Sequence, residues 1–389
     1  MRIFVLGVGA IGSMVAQLLA RQGHAVSCGD KDPDRAQRFL GARSTLPLQR
    51  VNARNLSAIV KAARGNHLVV NTAPAVCNEI VLRAALRIRA HYLDTASHLT
   101  RTPFKAEQLR YNERFRHKNR TALINAGVAP GLTNLLVARA ADKLDSVDSA
   151  HIRLYESAES ADPLSQWSAE VSFDEAVARP RIYRDGRFHL GKRFGEREVF
   201  RFPAPIGKAA VVLAAQDEVG TIPHYIRMRN MDVKIGGNEM DRLRRWYRQG
   251  KLWRSRGLVT KRFPLTLTPR QVAQLIRRGR LHNARFAATI LVRGAKDAKP
   301  RVIRLDAAFP TLYQIRLWGM HATPIAWATA QMASLFIKHF PRGVPGVLPP
   351  EALPLTLRQA ILADARARGL GVSMTMKVER ARETDEALG

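Results

Sequence analysis

Residues 3–12 read Ile3-Phe4-Val5-Leu6-Gly7-Val8-Gly9-Ala10-Ile11-Gly12. A short apolar run of this kind suits a strand buried on both faces. It enters three glycines at the spacing G-x-G-x-x-G. A helix follows over 12–21, with Met14, Val15, Leu18 and Leu19 at helical spacing and Gly23 as its stop. A second strand over 25–28 runs into Gly29-Asp30. Strand, glycine turn, helix, strand and acid together make the dinucleotide-binding fingerprint, which a glycine triplet alone would not. Gly7 permits the tight turn, Gly9 lets a pyrophosphate approach the backbone, and Gly12 lets the helix lie close to the strand. The helix start offers unpaired N–H groups and a partial positive charge to phosphate. Gly7, Gly9, Ala10, Ile11 and Gly12 are therefore the expected phosphate-binding residues.

Outward from this stretch, strand and helix patterns alternate over the first 127 residues. A helix is expected over 33–40, with Asp32 as N-cap and Pro33 at its first position. A weak strand near 46–51 and a helix over 55–63 follow. Next come a strand over 67–71, a helix over 78–88, a strand end at 92–94, a polar helix over 104–119 and a strand over 121–125. This is a doubly wound parallel sheet, a Rossmann domain spanning 1–127. Beyond Gly127 the pattern changes. A helix over 132–142, a strand over 152–155 and a polar, loop-like stretch over 156–173 are expected. A hairpin over 181–190 turns at Asp185-Gly186, and a capping box at Thr268-Pro269-Arg270-Gln271 opens a helix to 277. Strands over 286–292 and 301–305 flank a charged turn at 294–300. The expectation is an α+β domain over 128–321 with a mainly antiparallel sheet. A long helix over 322–337 begins a C-terminal part, to about 370, expected to pack back on the Rossmann domain. Residues 378–389 read as a charged, frayed tail.

The chain has 389 residues and 46% hydrophobic content, enough for two cores. No basic leader precedes an apolar stretch, and no apolar run is long enough to span a bilayer. Cys28 and Cys77 lie in expected core segments, so a disulfide framework is not implied and a cytoplasmic setting is expected. The formal net charge is +31, and residues 227–301 hold 21 lysines and arginines against Asp232, Glu239, Asp241 and Asp297. One reading is a solvated arginine-rich surface. The other is a polyanion or nucleic-acid patch, because arginines there interleave with Trp246, Tyr247, Trp253 and Phe263. No nucleic-acid-binding motif accompanies them.

Asp30 sits where a carboxylate meets the adenosine ribose hydroxyls, which favours NAD(H). Lys31 and Arg35 follow and keep NADP(H) open. Ligands in such sheets lie beyond the carboxyl ends of the strands. Asn71-Thr72-Ala73-Pro74, Tyr92-Leu93-Asp94-Thr95-Ala96 and the run from Asn125 through Gly131 to Asn134 end three strands at one rim. Thr72, Ala73, Pro74 and Gly131 are expected to line the cofactor.

These rim motifs, with the glycine fingerprint, resemble the saccharopine dehydrogenase family, which includes saccharopine reductase, lysine 6-dehydrogenase and carboxynorspermidine dehydrogenase. Further stretches share the resemblance: 176–187 with its Arg-Asp-Gly turn, Asp217-Glu218-Val219-Gly220-Thr221-Ile222-Pro223-His224, and Gly346-Val347-Leu348-Pro349-Pro350-Glu351. Together they span about residues 1–355. The chain departs from the pattern in the arginine-rich 227–301 stretch and at Gly236-Gly237-Asn238, where substrate would be read. The resemblance implies hydride transfer between a nicotinamide and a carbon bearing an amine or imine, on an amino-acid, opine-like or polyamine-related substrate. Such chemistry needs a proton carrier near neutral pKa and groups that hold the substrate's charges. Asp94, His98, Glu218 and His224 are the catalytic candidates. Each has a plainer alternative: a loop cap for Asp94, a surface histidine for His98, loop hydrogen bonding for Glu218 and His224. Thr133, Trp167 and Lys234 are the substrate candidates, with core packing and a solvated lysine as alternatives for the last two. No Cys/His spacing implies a metal, and a homodimer is expected.

Overall fold

The computed structural model describes residues 1–161, 164–251 and 266–378. Trp253, Phe263 and the 379–389 part of the expected tail lie outside the described residues. The first sheet holds β1 (Arg2–Leu6), β2 (Ala25–Asp30), β3 (Leu48–Arg50), β4 (Leu68–Asn71), β5 (His91–Asp94), β6 (Thr121–Leu123) and β15 (Gly346–Leu348). All pair in parallel, in the order β15-β6-β5-β4-β1-β2-β3. That is the doubly wound order with a seventh strand supplied by the C-terminal part of the chain. Alternate residues of β1 serve two cores. Ile3 and Val5 face α1 (Ala10–Arg21), while Phe4 and Leu6 face α3 (Leu56–Ala63) and α4 (Asn78–Arg87). Burial on both faces is why the strand reads as an unbroken apolar run. Asp32 caps α2 (Pro33–Leu40) as its spacing requires, accepting from the Arg35 N–H at 3.0 Å.

The second sheet is mixed and mainly antiparallel. Its spine is β7 (Ser146–Ser160), which pairs in parallel with β12 (Asn230–Gly236) and antiparallel with β13 (Leu281–Lys296). Outside these lie β14 (Lys299–Ala308) and β16 (Gly371–Val378) on one side, and β11 (Lys208–Leu213) and β10 (Glu198–Arg201) on the other. The hairpin of β8 (Arg181–Arg184) and β9 (Arg187–Leu190) joins β12. The fold class expected from the sequence is thus present, and three local expectations are corrected. The loop-like stretch 156–173 instead continues β7 to Ser160 and, after Ser168 as N-cap, starts α7 (Ala169–Val177). Its polar residues misled because Glu156 continues the inward series Ala150, Ile152, Leu154. The helix over 104–119 shrinks to a 3-10 turn, Glu107–Tyr111, and α5 (Asn112–His117). Glu107 and Gln108 turn inward there to tie the preceding loop. The charged turn at 294–300 is mostly strand, because Asp297 and Ala298, at φ 52 and 56, close a two-residue hairpin.

One helix joins the halves. α12 (Pro324–Lys338) buries Pro324 through Ile337 on every side. It packs along α1, against β13 and against α13 (Leu355–Ala367). A helix apolar all round belongs inside a protein. One continuous core therefore runs from β1 through α1, α12 and α6 (Leu132–Ala141) to Ile152 and Ile290 of the second sheet. No helix among the described residues is long and apolar enough to cross a membrane.

Candidate functional site

The site begins at the glycine turn. Gly7 has φ +92, and a Cβ there would stand 2.5 Å from the Ala73 nitrogen. A Cβ on Gly12 would stand 2.0 Å from the Gly7 carbonyl and 2.4 Å from Thr72 Oγ1. Both glycines are demanded by packing inside the protein. Gly9 differs, because nothing lies within 4 Å of its added Cβ. It is the N-cap of α1 and supplies no side-chain cap, whereas Asp32 and Asn55 cap α2 and α3. The first N–H groups of α1 thus face open space, the arrangement that accepts an anion. Thr72 holds the turn from β4, its hydroxyl donating to the Gly7 carbonyl at 2.6 Å. Ala73 completes this wall, its N–H donating to Asn71 Oδ1, and Pro74 stands exposed beyond it.

Asp30 clamps the same turn. Its carboxylate accepts from the Val8 N–H at 2.7 Å and the Asp32 N–H at 3.0 Å. Beside it, Lys31 and Arg35 are exposed. Sequence reasoning passed over Arg50, the register partner of Asp30 on β3, whose guanidinium donates to the Lys31 carbonyl at 2.9 Å. Strand pairing, not proximity in sequence, places this third cation at the ribose end.

The rim after β5 is a buried polar lattice. Asp94, 1% exposed, accepts from the Tyr92 hydroxyl, the Gln108 amide and the Asn125 N–H at 2.9, 3.1 and 2.9 Å. Burial pushes its carboxyl up to about 7. It lies beneath the rim as an anchor for β5, β6 and the 3-10 turn. His98 Nδ1 meets both Glu79 oxygens at 2.9 Å, and this bond raises the imidazole above its ordinary value. Its Nε2 is buried without a hydrogen-bond partner among the described residues. Glu107 Oε2 stands 3.7 Å from Nδ1. Glu79, His98 and Glu107 bring ligand-type atoms within 4.8 Å of one another, a grouping their sequence spacing did not suggest. Arg110 stands 3.8 Å from Glu79, and the Thr100 and Arg101 N–H groups bond Glu107 Oε1, so these carboxylates already have partners.

The second domain meets this rim through residues 216–224. Asp217 Oδ2 accepts from the Ser97 N–H at 2.9 Å. Glu218 accepts from the Thr133 hydroxyl at 2.7 Å, and its Oε2 has no hydrogen-bond partner among the described residues. Glu351 accepts from the Asn134 amide at 2.9 Å, and Asn134 in turn holds the Gly131 N–H. Burial is the main cause that lifts Glu218 and Glu351 each to about 7, and Asp217 to about 6. Gly131 has φ +134 with the Gly127 carbonyl against it, so its role is the turn into α6.

Three candidates stand apart from the crevice. His224 is exposed, bonds the Phe104 carbonyl at 2.8 Å and stacks on Phe188. Lys234 is 5% exposed and committed to Glu198 at 2.7 Å. It belongs to an ion lattice with Arg153, Arg184 and Asp232 on the sheet face opposite Val233 and Ile235. Trp167 instead walls a cavity of about 40 Å³, together with Glu156, Glu175 and Glu239. Of the aromatic residues in the arginine-rich stretch, Trp246 and Tyr247 pack against Phe173, Leu243 and Phe194 in a small core, not as free stacking platforms.

This architecture defines a Rossmann-type dinucleotide-binding protein with a mixed-sheet second domain. Residues 3–123 match the family model described as the saccharopine dehydrogenase NADP binding domain. The chain is 22% identical over 294 residues to the carboxynorspermidine synthase of Vibrio cholerae serotype O1, covering 69% of each protein. Its fold matches the apo saccharopine dehydrogenase (L-Glu forming) of Saccharomyces cerevisiae with a TM-score of 0.71 at 12% identity, over 97% of this chain and 100% of that one. The resemblance drawn from the motifs is therefore upheld, and the yeast structure is that of a dehydrogenase.

Proposed function

We propose that the chain is an NAD(P)-dependent oxidoreductase that moves hydride at the C–N bond of an amine or imine. The observation that carries this reading is the uncapped start of α1 under the open face of Gly9, framed by Thr72 and Ala73. The nicotinamide supplies or accepts the hydride. The chain's own residues do the rest. The α1 N–H groups hold the pyrophosphate, and Asp30 holds the adenosine ribose. Arg50, Lys31 and Arg35 surround that ribose with positive charge, which admits a 2′-phosphate and makes NADP(H) usable alongside NAD(H). His98 is the proton carrier, oriented by Glu79 through Nδ1 with Nε2 left for exchange. The second domain, meeting the rim at Asp217 and Glu218, holds the substrate.

The test is oxidation of NADH and NADPH by the purified protein against pairs of an amine with a 2-oxo acid or aldehyde. Turnover is expected with at least one pair. His98→Asn should lower kcat at least about 100-fold and remove one ionisation from its pH profile, with KM for the dinucleotide unchanged. Tight cofactor binding without turnover on any pair would defeat the assignment.

A further inference from the structure

A second cavity, of about 210 Å³, runs along one side of α1. The α1 residues that line it, Ala10, Ser13, Met14, Gln17, Leu18 and Arg21, fall on one helical stripe. Val15, Ala16 and Leu19 of the same helix belong to the core with β1. The stripe spans the first turn of α1 to its last, about 16 Å at 1.5 Å per residue. The cavity therefore lies beside the helix, not over the strand ends where the dinucleotide is expected. Phe39 and Leu40 at the end of α2 close it on one side, and Val272 of α10 (Pro269–Arg277) and Met320 on another. Elements of both domains thus face each other across an elongated, mostly apolar void. Such a wall loses dispersion contacts wherever nothing fills it, and its two methionines adapt easily to an occupant.

The polar groups of this cavity are of one kind. No acidic residue lines it, while exposed Arg21 and His321 do. Burial, with Arg277 and Arg316 nearby, lowers the His321 imidazole, so the positive charge at this end is carried by arginine. Arg277 ends α10 and Arg316 lies on α11 (Leu312–Leu317), and both are exposed. No acid pairs with Arg21, Arg277 or Arg316 among the described residues. Gln166, 2% exposed, also lines the cavity, and neither carboxamide atom has a hydrogen-bond partner among the described residues. A buried amide left idle is uncommon and marks a place for a further acceptor. Outside, Leu317 and Trp318, 67 and 50% exposed, directly precede Gly319 of the cavity wall. Apolar walls with arginines at one end complement an anion that carries hydrocarbon.

We propose that this cavity binds an anionic amphiphile, whose chain lies along the α1 stripe and whose carboxylate or phosphate head meets Arg21, Arg277 and Arg316. An apolar cavity of ~150 Å³ holds the six carbons of benzene, so the void takes a chain of about eight. The site is separate from the cofactor cradle and does not depend on the oxidoreductase reading.

The test is calorimetry on the full chain, with and without saturating NADPH, using hexanoate, octanoate, octyl phosphate and octylamine. One octanoate or octyl phosphate should bind per chain, at least tenfold tighter than octylamine, and the tighter of the two names the head. From hexanoate to octanoate the affinity should rise about fourfold for each methylene. NADPH should not displace octanoate. Arg277→Glu combined with Arg316→Glu should weaken octanoate at least tenfold, and Met320→Trp, which fills the void, should abolish its binding. Both should leave NADPH affinity and Tm unchanged. If the variants are unstable, weakening by salt in the wild-type chain reads the head contact, and the chain-length series reads the void. Absence of binding, equal affinity for octanoate and octylamine, indifference to chain length, or binding that survives both variants would overturn the site. Displacement of octanoate by NADPH would overturn it as well, because the ligand would then occupy the cofactor cleft.

Discussion

The glycine cradle and the acidic cavity present polar groups in opposite ways. The cradle uses six consecutive residues, and its donors are backbone N–H groups aligned by one helix. Such dipoles are fixed before the ligand arrives and carry no net charge to desolvate. The cavity gathers carboxyl side chains from three elements, and burial pushes each of them toward its neutral form. The first is set by the backbone alone, the second by side chains brought together from distant parts of the chain.

The sharpest way to break the cradle is Gly12→Val, whose branched side chain must enter the space held by the Gly7 carbonyl and Thr72 Oγ1. A loss of at least about 3 kcal/mol in unfolding stability is expected, read by denaturant titration. Gly9→Val separates ligand from fold, because its Cβ meets nothing within 4 Å. Its Tm should match the wild type while the dinucleotide Kd rises ~100-fold, about 2.7 kcal/mol. Normal cofactor affinity in Gly9→Val would show that no pyrophosphate sits there.

Buried acids leave a pH signature. Glu218 and Glu351 titrate near 7 in the folded chain, well above their ordinary value near 4.5. Between those limits the folded state binds more protons than the unfolded state, so this contribution to stability falls as pH rises. The slope reaches up to about 1.4 kcal/mol per pH unit for each carboxyl. Buried imidazoles such as His91, lowered to about 4, oppose it below pH ~6.5. Glu218→Gln should therefore flatten the decline between pH 6.5 and 8 in guanidinium midpoints, and an unchanged slope would contradict it. The smallest expected effect is at the ribose end. Arg50→Ala should weaken NADPH about fivefold, near 1 kcal/mol, and leave NADH within error.

The same contrast decides what the amino-acid order reveals. The fingerprint, the Asp32 cap, the Asp185-Gly186 turn and the Thr268 capping box are each written within a few neighbouring residues, and each is present as read. Features that depend on pairing across the chain were hidden. The polar half of β7 resembles a loop until β13 pairs with it, and β15 is only three residues long. In the site, the glycine turn was legible, but the contacts of Glu218 with Thr133 and Glu351 with Asn134 join segments 85 and 217 residues apart. Lys234 looked available because nothing nearby in sequence announces Glu198, its partner across 36 residues.

β15 carries a consequence for the order of assembly. Because residues 346–348 form the outermost strand of a sheet begun at residue 2, that sheet stays unfinished until residue 348 has left the ribosome. In the meantime β6 presents bare hydrogen-bonding groups at its flank, an invitation to wrong partners. Val347, 2% exposed, then seals the core beside Phe115 and Ile124. The nucleotide half of this molecule is accordingly begun before the second domain and completed after it.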